Sequence, residues 1–123
     1  MTMSLPEFLP KLKKHHGIYV MWMTYEGTCA LLTGFEVGSG HQVLKEFHGW
    51  LVARGKGRPE LYWPLLVLCE LYDDGALPDI RYFTPKQDEE AVSVLFTLLD
   101  DFFEARGVKR PEASAKTVEG AEI

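Results

Sequence analysis

Residues 85–106 read PKQDEEAVSVLFTLLDDFFEAR, and the spacing of their apolar positions decides the fold class. Val92, Leu95, Phe96, Leu99, Phe102 and Phe103 recur at helical period, so one side of a rod collects them. Thr84 is a good N-cap, and Pro85 suits the first helical position, where its missing N–H removes no bond. Asp88, Glu89 and Glu90 stand near the positive end of the helix dipole. Gly107 follows where a left-handed C′ residue belongs. A long amphipathic helix is predicted, and the rest of the chain must supply what covers its apolar side.

Upstream of it, residues 59–72 read PELYWPLLVLCELY and admit two readings. Pro64 restricts Trp63 and can open a short helix that is apolar nearly all round, and so central. The alternative is a buried strand over 65–71, turning at Asp73-Asp74-Gly75 into a partner over 80–83. The helix is preferred. Residues 43–54 place Val43, Leu44, Phe47, Trp50 and Leu51 at the 3.6 period, and Gly55-Lys56-Gly57 ends that helix. Residues 38–41, GSGH, read as a loop. Before it, 25–37 forms a helix capped by Thr24, with Cys29, Leu31, Leu32 and Phe35 inward. Gly34 within it signals a close helix–helix approach.

Residues 18–23, IYVMWM, are apolar throughout, which leaves a buried strand and an extended crossing segment equally open. A first helix over 4–14 has Ser4 and Glu7 placed for a capping box and Leu5, Phe8, Leu9 and Leu12 on one side. Pro10 sits inside it and removes a backbone bond. The fold expected is all-α, a bundle of about four to five helices over 1–107, with an α+β hairpin at 65–83 as the alternative. Residues 108–123 carry few bulky apolar side chains and are expected to be a disordered tail.

A chain of 123 residues makes one domain, and its 46% hydrophobic and 25% charged content is ordinary for a globular protein. No apolar run approaches a membrane span, and the first residues lack the apolar core of a secretory signal. Cys29 and Cys69 lie among apolar neighbours and read as buried free thiols. These features place the protein in the reducing cytoplasm. Its net charge of −5 is uneven. Residues 11–58 hold seven Lys and Arg against Glu26, Glu36 and Glu46, whereas 70–104 hold ten Asp and Glu against Arg81 and Lys86. Net acidity disfavours nucleic acid, and the acidic half favours a basic partner.

No phosphate-binding glycine loop, HExxH, paired CxxC or GxSxG occurs, so no cofactor or metal is expected. His15 and His16 point about 100° apart on a helix and cannot clasp one ion. A hydrolase would need Ser39 or Cys29 beside a histidine such as His41 or His48, and a scaffolding module is a third class. One feature breaks a local rule. Asp100, Asp101 and Glu104 crowd the last turns of the final helix, where the dipole opposes each by about 0.3–1 kcal/mol. With Asp73, Asp74 and Asp79 they are the candidate surface for a cationic partner.

The order of several short motifs adds a resemblance. Pro6-Glu7-Phe8-Leu9, Gly17-Ile18-Tyr19-Val20, Leu31-Leu32-Thr33-Gly34-Phe35, Phe47-His48-Gly49-Trp50-Leu51, and Glu90-Ala91 through Leu98-Leu99-Asp100-Asp101-Phe102 follow one another over residues 5–106. This resembles small bacterial immunity-type proteins of polymorphic toxin systems. Their pattern has an amphipathic first turn, an Arg-Pro-x-Met-Tyr-aliphatic-Gly segment and a Leu-rich helix ending Gly-Tyr. A Phe-x-x-Trp helix and a Phe-rich acidic last helix complete it. Here His15-His16 stand in place of Arg-Pro, and Met21 in place of the final Gly. The resemblance implies a non-catalytic, stoichiometric binder that neutralises a cognate toxin, and it brings no catalytic residues; the placement of acidic residues adds the expectation that the toxin's surface is basic.

Overall fold

The computed structural model describes residues 4–15, 24–40 and 42–107. Among them are five α-helices and no strand: α1 (Leu5–Lys14), α2 (Tyr25–Ser39), α3 (Val43–Ala53), α4 (Trp63–Leu68) and α5 (Pro85–Ala105). Two short 3-10 turns, Asp74–Ala76 and Ile80–Tyr82, occupy the path from α4 to α5. The architecture is an all-α bundle, and the hairpin alternative fails because 65–68 is helical and 80–82 is a 3-10 turn. The apolar segment at 18–23, His16, Gly17, His41 and the tail 108–123 lie outside the described residues.

Local chemistry explains each helix end. Ser4 accepts from the Glu7 N–H while the Glu7 carboxylate accepts from the Ser4 N–H, the reciprocal box expected from the sequence. Thr84 and Gln87 repeat that device at the start of α5, a box built with Gln that the charge pattern did not flag. Thr24 caps α2 by accepting from the Gly27 N–H at 2.9 Å. The helix then runs through Gly38 and Ser39, two residues placed in the loop from sequence, and stops at Gly40, whose φ of +77° suits a residue without a Cβ. Gly107, at φ +72°, follows α5 in the same way. Pro10 is buried inside α1, which continues through it with the His15 N–H donating to the Lys11 carbonyl.

The core is one cluster drawn from all five helices. α4 lies at its centre, packed on both α3 and α5, with Trp63, Leu66, Val67 and Leu68 buried. α5 buries Ala91, Val92, Leu95, Leu98, Leu99, Phe102 and Phe103. The buried stripe is therefore turned slightly from the expected one: Ala91 and Leu98 join it, and Phe96 is only half-buried. Each large side chain so covered contributes about 1.5–3 kcal/mol relative to exposure. The Phe47 ring sits 5.3 Å from Phe102, 6.0 Å from Trp50 and 6.1 Å from Trp63, tying α3, α4 and α5 together. Phe8 stacks on Phe35 at 4.6 Å and fastens α1 to α2. Gly34 makes no such close approach, since a Cβ there would meet nothing within 4 Å. Gly57, in the loop after α3, does stand close to a neighbour, since a Cβ there would lie 2.7 Å from Cys69 Sγ.

Candidate functional site

The six acidic residues singled out by charge are not gathered into one site. Asp79 lies ahead of α5, on the side where Phe83 meets Tyr25 and where the Asp88 carboxylate accepts from the Tyr25 N–H at 2.9 Å. Asp100, Asp101 and Glu104 lie near the far end of the same helix, roughly 20 Å away along its axis. Asp73 lines an open polar cleft with Lys56 and Arg58. Asp74 begins the first 3-10 turn, and its side chain lies outside the described residues.

Two of these carboxylates, Asp79 and Asp100, already have cations. Asp79 accepts from the Arg81 guanidinium at 2.7 and 3.0 Å and from the Arg81 backbone N–H at 3.0 Å. Those bonds, the side-chain one foremost, hold its carboxyl down to about 2. Asp100 is salt-bridged to Lys13 of α1. Arg54 donates to both oxygens of Glu70, at 3.0 and 3.1 Å. That bond, more than the nearby charge of Asp101, raises the guanidinium above its ordinary value. Arg106 turns to Glu46 and lies over the Phe102 ring. The helix-dipole penalty on Asp100 is thus answered by a cation from another helix. Asp101 and Glu104 are exposed, and among the described residues neither forms an ion pair.

A second location escaped the sequence reading. Glu36 and Val37 on α2, Leu44 and His48 on α3, and Tyr62 and Trp63 at the start of α4 line a groove of about 290 Å³. Glu36 is only 9% exposed. Its Oε2 accepts from the Leu44 N–H at 2.8 Å, standing in for the cap that Gln42 does not make at the head of α3. Its Oε1 is buried and has no hydrogen-bond partner among the described residues. Tyr62 and Val37 are 59% and 77% exposed, two of the few large apolar side chains left in water. The sequence carries no local signal of this site beyond the apolar neighbours of Glu36, Phe35 and Val37.

The nucleophile readings fare differently. Burial pushes the Cys29 thiol up to about 12, so its thiolate is scarce at neutral pH. Ser39 Oγ donates to the Glu36 carbonyl at 3.1 Å. His48 Nε2 lies 2.9 Å from the Leu61 carbonyl and must carry its proton there, because a carbonyl only accepts. Among the described residues no three His, Cys, Asp or Glu side chains converge as a metal site would require, and no helix is long and apolar enough to cross a membrane. Both cysteines are buried.

Set against protein-family models, curated proteins and solved structures, the chain has no match.

Proposed function

We propose that this chain is a stoichiometric binding protein of the immunity type, which masks a basic region of a cognate toxin in the cytoplasm of the cell that makes it. No bond is made or broken in this reading. One observation carries it: Asp101 and Glu104 stand exposed on the last turns of α5, opposed by the helix dipole and without an ion-pairing cation among the described residues. Their neighbour Asp100 is salt-bridged to Lys13, whereas these two form no ion pair among the described residues. Carboxylates so placed steer a basic surface into encounter, while apolar and aromatic contacts supply most of the holding energy. The ordered motifs of the resemblance point the same way.

The test is co-expression with the toxin domain encoded in a neighbouring reading frame. Growth should be restored, and Asp101→Lys with Glu104→Lys should slow association about tenfold at low salt and flatten its salt dependence. The reading falls if growth is not restored, or if the double reversal leaves rate and salt dependence unchanged.

A further inference from the structure

We infer that the groove between α2, α3 and α4 is built to receive one arginine side chain of the protein partner, a step that rests on the reading of that partner as basic. Glu36 lines the groove, and its Oε1, shielded from water in the free chain, has no hydrogen-bond partner among the described residues. Leaving an acceptor of this kind without a donor is costly, and an ionised one more so. A donor delivered from outside removes that cost and is held by it. The groove that Glu36 lines is otherwise mostly apolar and aromatic: Val37, Leu44, Tyr62 and Trp63. A guanidinium fits both requirements. It is weakly hydrated, presents N–H donors in a plane, stacks on aromatic faces, and trails an apolar stem.

The remaining polar groups at the groove are compatible with this occupant. His48 has its Nε2 proton committed to the Leu61 carbonyl. Lys45 also lines the groove, with its side chain exposed to solvent, which screens its charge. The groove also stands apart from the acidic end of α5. On α3, Lys45 and His48 line the groove, whereas Glu46 and Trp50, about 100° or more around the helix from them, meet Arg106 and Phe102. A partner engaging both would therefore touch two sides of α3.

The experiment titrates the full chain with n-butylguanidinium, and separately with neutral n-butylurea, following the Leu44 amide and the Trp63 indole by nitrogen–proton NMR. Saturable shifts are expected with the cation and not with the urea. Glu36→Gln keeps an acceptor for the Leu44 N–H, so α3 stays capped, yet it should weaken binding about tenfold or more. Tyr62→Ala, at an exposed position, should weaken it less, and Lys45→Ala should strengthen it. The inference is overturned by absence of saturation, by equal binding of the urea, by unchanged affinity in Glu36→Gln, or by weaker binding in Lys45→Ala, which would mark an occupant that turns an anion toward Lys45. No toxin enters this titration. A groove that binds the cation while co-expression fails to restore growth refutes the proposed function alone, and the converse refutes the groove alone.

Discussion

Lys13 and Asp100, 87 positions apart, form a salt bridge that ties the first helix to the last. Both side chains remain about a third exposed, so solvent screens the pair and its worth is about 0.2–1 kcal/mol. Asp100→Lys should lower the denaturation midpoint by a corresponding amount, and Lys13→Asp in the same chain should restore part of the loss. Raising salt should shrink the difference. A chemical-denaturation series of the two single variants and the double one checks this. It also bears on partner-binding experiments, since reversing Asp100 disturbs the fold and reversing Asp101 or Glu104 does not break a described ion pair.

Two glycines should respond with opposite signs. At Gly57 an added Cβ would meet Cys69 Sγ at 2.7 Å and Leu66 Cδ2 at 3.0 Å, so Gly57→Ala should destabilise by about 1–3 kcal/mol. At Gly34, exposed within α2, it would meet nothing, and Gly34→Ala should stabilise by about 0.4–1 kcal/mol. Thermal melts of the pair give the test.

Alkaline pH should unfold the protein through Cys29 and Tyr25. Burial holds both groups neutral beyond their ordinary values of 9.0 and 10.0, the thiol to about 12. Below about pH 9 neither state has ionised and the contribution is fully present. Above it the unfolded chain releases protons that the folded chain keeps, so stability falls by up to about 1.4 kcal/mol per pH unit for each group. Cys29→Ala should flatten the first part of that decline, measured by denaturant midpoints from pH 8 upward, roughly the range of thiol ionisation.

Phe47 is fully buried at the meeting of Trp50, Trp63 and Phe102. Phe47→Ala should cost about 3–5 kcal/mol and change tryptophan fluorescence, whereas Phe47→Leu should cost less. Equilibrium unfolding followed by fluorescence and by circular dichroism separates the packing effect from loss of helix.

Much of this architecture was legible before the structure, and the exceptions have physical causes. α5 could be read because its apolar positions keep one period from Val92 to Phe103 between a capped start and a glycine stop. α4 was preferred over a strand on the strength of Pro64 alone, because period carries no information where nearly every residue is apolar. The acidic residues were visible as a count, but Lys13 and Arg81 each meet one of them, and the Lys13 pairing depends on tertiary placement. Gly34 was misread because an exposed helical glycine and a packed one look alike in sequence. Glu36 was passed over as one of three acids in a basic half, since nothing local shows that a carboxylate will be buried.

The bond from Glu36 to the Leu44 N–H has a consequence for how the chain acquires its shape. It spans eight positions across the Gly40 turn, so closing it sacrifices little chain entropy. A hairpin of α2 and α3 can therefore organise while synthesis is still under way. The interior around Phe47 must wait for Phe102, near the end of α5, and until that helix is made the nascent polypeptide carries its aromatic surfaces uncovered.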